Sequence, residues 1–321
     1  MAQFNPEINK VELYIQESPD IVLDNQIINT VEKIIVCRKK NEVPENETDG
    51  EIVLTIDRKS FGAYSSLPYI DTIENYEMGD VYYYKAFPIN NMKIVSYSAD
   101  NEARVKIKDY WLFGFTIDQD ESDPKSMISY IEDNVKYVSA YMDQTESVFR
   151  PGSWNNVWFM HPKPCMLNYD GTVAYYLDPN SYKLKEDGTA SDITDVNFEG
   201  NVMIEFPKVY WKIVDNQDNS ASVYFSNKKV DEEFHCWSHI DNNGNEIDYC
   251  YMPAYIGYIS GDKLRSISGV TPGHSKTIAA EVELAKANNL DPNSPIWYTE
   301  VFCDKMLIDL LLLLIGKSTD V

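Results

Sequence analysis

The stretch PCMLNYDGTVAYYLDPN, running from Pro164 to Asn180, decides how this chain is read. Two short runs of strand-favouring residues flank an Asp-Gly pair, the signature of two antiparallel strands joined by a tight turn. Just ahead of it, His161-Pro-Lys-Pro-Cys165 raises a chemical question. A histidine and a cysteine four residues apart would share one face of a helix and could act as base and nucleophile. Pro162 and Pro164 forbid a regular helix and favour an extended chain. Four extended residues span roughly 13 Å, so the two side chains point the same way without meeting. Cys165 is therefore expected as a small buried residue opening a strand.

Outward from this stretch the pattern stays mostly β. FEGNVMIEFPKVYWKIVDNQDNSASVYFSN reads as a strand pair with NQDNS as its turn. A further turn is expected at DNNGNE, and the segment after LDPN as a polar loop. YWLFGFTID is an aromatic strand. SMISYIEDNVKYVSAYM, with apolar residues at mixed spacing, is assigned a helix. TIAAEVELAKANNL is expected to be helical from near Thr277. EVFCDKMLIDLLLLLIG is expected to be helical with Gly316 as its C-cap. Upstream, KVELYIQ, VEKIIVCRKK, EIVLTID, DVYYYKAFPIN and EARVKIKDY are short strands with turn signals between them. Val11, Leu13 and Ile15 share one face, as do Ala103, Val105 and Ile107. This spacing predicts a small antiparallel β-sandwich. The fold class is thus mostly β with an α+β part, divided into residues 1–108 and 109–321.

The 321 residues carry 44% hydrophobic and 13% aromatic side chains, enough to build packed cores rather than a disordered chain. Twenty-eight Lys and Arg face 51 Asp and Glu, a formal charge of −23. Such a chain is repelled by nucleic-acid phosphates and by anionic membranes, so neither is an expected partner. Five widely spaced cysteines, Cys37, Cys165, Cys236, Cys250 and Cys303, suggest no disulfide framework and a reducing cytoplasm as the place of folding. The opening MAQFNPEINKVELYIQ has no apolar core, so no secretory signal is expected. The apolar run Met306 to Ile315 contains Asp309 and is about half the ~20 residues of a membrane span.

Two sets of strings carry a resemblance. IIVCRKKNEVPENETDGEIV, YIDT and VYYYKAFPIN resemble the fibronectin type III-like modules of tailed-bacteriophage structural proteins, over Glu7 to Lys108. Little sequence precedes KVELYIQ, so the first strand of that module is expected to be absent or supplied by a neighbour. PCMLNYDGTVAYYLDPN, GNVMIEFPKVYWK and GDKLRSISG are similar to phage tail and minor structural proteins. In these a degenerate C-type-lectin-like region follows such modules; the match runs from Tyr110 to Thr319. That family carries more chain after a string like Gly316 to Asp320, so a shortened C-terminus is expected at Val321. The resemblance implies a virion structural protein of a phage tail or tail-like particle, a fibre or baseplate appendage assembled in the host bacterial cytoplasm. It implies host-surface attachment without catalysis or cofactor. The implied partners are other tail or baseplate proteins and host polysaccharide or protein, in a homo-oligomer, a trimer favoured. The alternatives are a dedicated glycan-binding lectin and a cell-wall depolymerase.

The candidate residues are each weighed against ordinary packing. His235, Cys236, His239 and Cys250 could supply four zinc ligands, but the adjacent His235 and Cys236 would face opposite sides of a strand. Asp118, Asp120, Glu121 and Asp123, and the loop Asp241, Asn243, Asn245 and Asp248, only faintly resemble calcium loops and read as solvated turns. Trp154, Trp158, Trp211 and Tyr82, Tyr83 and Tyr84 could stack sugars but are expected to pack. Arg265 is expected in a surface loop, paired to an acid. There is no phosphate-binding glycine loop, nucleophile elbow or His-Glu-x-x-His. No catalytic, cofactor or metal residue is assigned, and the ligand-binding residues stay open.

Overall fold

The computed structural model describes residues 2–6, 8–15, 21–23, 26–29, 31–65, 67–96, 101–293 and 295–320. Strand makes up 39% of it and helix 12%, so the mostly-β expectation holds. The chain divides into two compact units, Met1–Trp111 and Leu112–Val321.

The first unit contains β1 (Ala2–Asn5), β2 (Lys10–Leu13), β3 (Ile21–Leu23), β4 (Gln26–Asn29), β5 (Val31–Lys40), β6 (Glu51–Asp57), β7 (Tyr69–Asp71), β8 (Val81–Asn90) and β9 (Glu102–Lys106). They form a three-stranded sheet in the order β1-β2-β7, a four-stranded sheet in the order β6-β5-β8-β9, and the separate hairpin β3-β4. All pairs are antiparallel. The two larger sheets share one core. Phe4, Val11 and Leu13 from the first pack with Ile34, Val36, Ile56, Tyr84 and Val105 from the second. The first strand is therefore present and comes from the chain itself, which corrects the expectation of an absent or borrowed one. Four residues, Ala2 to Asn5, suffice because Phe4 falls opposite Val11 and fills the core beside it.

β5 is buried on both faces. Ile34 and Val36 point into the shared core, while Ile35 and Cys37 pack with Phe87 on the opposite side. Arg38 continues the core-facing row and is itself buried. It donates to Asp71 on β7 at 2.6 Å and also to Glu51. The Tyr84 hydroxyl donates to the same Asp71 oxygen at 2.7 Å. Burial, reinforced by the Asp71 charge, pushes the Tyr84 hydroxyl well above its ordinary range, so it remains a donor. This polar clasp ties the two sheets together at one end of the core.

The second unit contains β10 (Leu112–Asp118), β11 (Ile128–Glu132), β12 (Tyr141–Asp143), β13 (Val148–Arg150), β14 (Lys163–Asn168), β15 (Val173–Asp178), β16 (Ser181–Lys185), β17 (Gly200–Pro207), β18 (Tyr210–Asp215), β19 (Ser220–Ser226), β20 (Tyr249–Pro253), β21 (Tyr258–Ser260), β22 (Lys263–Arg265), α1 (Ile278–Lys286) and α2 (Phe302–Gly316). Its sheets run β16-β15-β14-β17-β20 and β11-β10-β19-β18, with the two-stranded β12-β13 and β21-β22. β14 sits at the centre of the five strands. Cys165 and Leu167 pack with Met203 and Trp297 on one face, and Met166 packs with Leu177, Ile193 and Val202 on the other. Pro164 faces Ile204 of β17 but precedes the first rung with β15, Cys165 to Tyr176, so it enters a central strand without interrupting that second ladder. The turn after β14 has Gly171 at φ +84°, while Asp170 accepts from the Thr172 amide at 2.9 Å.

Four expectations are corrected here. The segment assigned a helix, SMISYIEDNVKYVSAYM, forms β11 and then enters β12; its Ile128 and Tyr130 alternate into the core beside β10, and pairing overrides a weak helical pattern. The polar loop after Asn180 contains β16, an exposed edge strand on β15. α2 runs through Gly316, and Lys317 takes the left-handed conformation at φ +51° that glycine was expected to supply. Arg265 is buried rather than paired to an acid. Its guanidinium donates to the carbonyls of Val196, Phe198 and Gly200 at 2.5–2.6 Å. α2 buries Leu307, Leu310, Leu311 and Leu314, and the Tyr130 hydroxyl donates to the Leu314 carbonyl at 2.7 Å. No helix among the described residues is long and apolar enough to cross a membrane.

The clasp carries the first test. Asp71→Ala would leave the buried Arg38 guanidinium with Glu51 as its remaining carboxylate and the Tyr84 hydroxyl without its acceptor, a loss of at most about the 3–5 kcal/mol of a buried pair broken from one side. Amide exchange in β5 and β8 should accelerate accordingly, while exchange in β14 and β17 stays unchanged.

Candidate ligand-binding groove

β18 is an edge strand of its sheet. Beyond β19 the chain returns past it, and His235 makes one isolated antiparallel rung with Trp211: each amide donates to the other carbonyl, at 2.9 and 3.2 Å. That rung opens a groove of about 480 Å³ lined by Trp211, Lys212, Ile213, Glu232, Glu233, His235 and Trp237. Trp237 starts a short 3-10 turn ending at His239. It is 50% exposed, the one tryptophan of six with an exposed ring. The His235 ring lies against it at 4.4 Å between centroids and 32° between planes. Trp211, buried, also lines the groove.

Lys212 holds the polar side of the groove in place. Its ammonium lies 2.9 Å from both Asp231 and Glu233 and 4.9 Å from the centre of the Phe234 ring. Glu232 is paired with Lys229 at 2.7 Å. The result is a half-exposed aromatic surface beside exposed carboxylates paired with lysines. It suits a ligand with an apolar face and hydroxyl or ammonium donors along its edge.

The residues singled out in the sequence are distributed differently. His161 is exposed and Cys165 fully buried, so the two do not form a dyad. Burial pushes the Cys165 thiol up to about 12, Cys250 to about 12 and Cys236 to about 11, which leaves them as thiols. Cys236 packs with Tyr210 and Phe234, His235 turns outward to Trp237, and Cys250 lies in β20. Among the described residues no three His, Cys, Asp or Glu side chains stand close enough to hold a metal ion. Asp118 and Glu121 accept from amides one or two residues on, Asp123 from the Lys125 amide and the Ser126 hydroxyl, and Asp241 from the amides of Asn243 and Asn245. Glu205, buried on β17, accepts from the hydroxyls of Tyr176 and Tyr251 at 3.0 and 2.9 Å. Trp154 is core, in edge-on contact with Phe113, Tyr130 and Tyr137. Trp158 stacks on Phe113 and donates to the Lys208 carbonyl at 3.1 Å. Tyr82 and Tyr84 face the sandwich core. Sequence reading missed Trp237. The available signal was a tryptophan set among turn residues, outside any alternating strand pattern.

His239 closes the turn behind the platform and is fully buried. Its Nε2 lies 3.2 Å from the Phe206 carbonyl, an acceptor only, so Nε2 carries the proton. Nδ1 is buried with no partner among the described residues. A second proton there would be an unsatisfied buried charge, and burial accordingly holds His239 below its ordinary 6.5. The unfolded chain takes up this proton near 6.5 and the folded chain resists it. Stability is therefore full above 6.5 and falls as pH drops through that value. Asp304, raised above 3.8 by burial, works in the opposite direction, so the His239 contribution is read from a variant. Thermal midpoints between about pH 7.5 and 5.5 should fall more steeply for the natural chain than for His239→Gln; parallel profiles would contradict the assignment. In comparison with known proteins, no family model, curated protein or solved structure matches this chain.

Proposed function

We propose that this chain is a non-enzymatic structural protein of a phage tail or phage-tail-like particle, engaged in host-surface attachment. The observation that carries the reading is the strand order of the first unit. Sheets β1-β2-β7 and β6-β5-β8-β9 follow the order of a fibronectin type III-like sandwich, and the strings that resemble such modules fall on β5, β6, β7 and β8. In the second unit the string PCMLNYDGTVAYYLDPN lies across the β14–β15 pair at the middle of the larger sheet, with two helices later in the chain. This arrangement supports a degenerate C-type-lectin-like α+β reading. The fold carries no function by itself; the functional part of the reading rests on the resemblance of these strings to phage tail proteins.

The exposed Trp237 platform favours a more specific role within this reading, contact with a host glycan. The face of a pyranose ring is apolar and its rim carries hydroxyl donors, matching a half-exposed indole beside Glu232 and Glu233. A shallow groove binds weakly, and many copies on one particle would multiply the effect.

Two measurements test this. Antibodies against the chain should decorate the tails of particles made by cells expressing it, as seen by electron microscopy; intact particles that lack the chain would sink the structural reading. Separately, Trp237→Ala should weaken binding of the purified chain to host-envelope polysaccharide at least about tenfold, the scale of a lost aromatic contact of ~1.4 kcal/mol. Unchanged binding would remove the glycan role and leave the structural one standing.

A further inference from the structure

A second hollow adjoins the groove at Trp237. It measures about 80 Å³ and is bordered by Lys229, Phe234, Ile240 and Glu246 and by the same His235 and Trp237. The stacked His235–Trp237 pair is therefore the common border of two hollows of unequal size. The larger, at about 480 Å³, has room for a sugar ring. The smaller holds two or three water molecules at roughly 30 Å³ each, so it suits a substituent rather than a ring. An ion pair of 2.7 Å links the two, because Lys229 borders the smaller and its partner Glu232 the larger.

Charge decides which substituent fits. Lys208, Lys212 and Lys229 stand around these hollows, and each is already engaged: Lys208 by Glu246 and Asp248, Lys212 by Asp231 and Glu233, Lys229 by Glu232. Five carboxylates thus meet three ammonium groups, an excess of two negative charges. The Tyr210 hydroxyl donates to Glu246 and holds its carboxyl below the usual range; Lys229 does the same for Glu232, and Lys212 for Asp231. An acidic sugar would find carboxylates here and no uncommitted cation among these residues. A carboxylate has about four acceptor positions, so Glu246 can take a further donor beyond Tyr210 and Lys208. Phe234 and Trp237 border the same hollow, and aromatic faces attract ammonium groups.

We propose that this site takes an amino-bearing glycan: a sugar ring lies in the larger groove against Trp237, and a free amino group enters the smaller hollow beside Glu246. The inference rests on the glycan reading of the groove and narrows it to chains of unacetylated amino sugars. A neutral glycan would leave the charge excess unanswered. N-acetylation would remove the ammonium charge and press an acetyl group into a hollow sized for a few waters. A polymer rich in phosphate or uronate would be repelled by the same carboxylates.

Isothermal titration of the full chain tests it, with a β-linked glucosamine tetramer, the fully N-acetylated tetramer and a galacturonate tetramer as probes. At about pH 6, where the sugar amines carry their protons, the glucosamine tetramer should bind at least about tenfold tighter than the acetylated one. Galacturonate should not bind. Salt at roughly 0.5 M should shrink the preference, since its source is electrostatic. Glu246→Gln keeps an acceptor for the Tyr210 hydroxyl. It should lose at least about fivefold in affinity for the glucosamine tetramer and none for the acetylated one, with an unchanged thermal midpoint. Three results would each overturn the proposal: acetylated or galacturonate tetramer binding as tightly as the glucosamine one, no binding of the glucosamine tetramer, or a Glu246→Gln chain that keeps the full preference. If one of these appears while Trp237→Ala still weakens binding to host-envelope polysaccharide, the glycan reading stands and only this narrowing falls. If that binding is indifferent to Trp237 as well, both fall.

Discussion

A strand buried on both faces has no side that can turn to water, and each unit of this chain is organised around one. In β5, Ile34 and Val36 serve one face and Ile35 and Cys37 the other. In β14, Cys165 and Leu167 oppose Met166 in the same way. A one-residue slip in either strand would exchange the two sets and strand an apolar residue against the wrong neighbours. Register is thereby fixed in the centre, and the strands outward from it inherit their positions. The edge strands tolerate much more polarity, as β16 and β18 show.

The large negative charge is managed locally. Three cations are each shared between two carboxylates: Lys212 between Asp231 and Glu233, Lys208 between Glu246 and Asp248, Arg38 between Glu51 and Asp71. With 28 cations for 51 carboxylates, most remaining acids must stand in solvent. Exposed pairs of this kind add little stability. The buried Arg38–Asp71 contact differs, because neither partner can fall back on water.

Alternation made much of this fold legible. Val11 and Leu13, and Val105 and Ile107, were placed on shared faces from spacing alone, and each is buried in the sandwich core. The prolines of HPKPC gave the extended chain at β14 and separated its histidine from its cysteine. Thr277 was recognisable as a helix start, and its hydroxyl accepts from the Ala280 amide. What failed depended on partners distant in sequence. Ala2 to Asn5 is too short to read as a strand until β2 stands beside it. Ile128 to Glu132 has mixed spacing until β10 fixes its register. Arg265 satisfies carbonyls more than sixty residues away, and no local pattern announces that. Trp237 became notable only through its exposure, which spacing does not encode.

The acidic turns have a consequence for recognition. Asp118, Asp123, Asp170, Asp187, Asp215, Asp218 and Asp241 each accept from an amide or hydroxyl a few residues further along the chain. Each such bond closes its loop into a defined shape in the free protein. A surface built from loops usually loses conformational freedom when something docks, and that loss weakens association. Loops closed by their own side chains have less freedom left to lose than open ones, so docking on the second unit would cost less ordering than its loop content alone suggests.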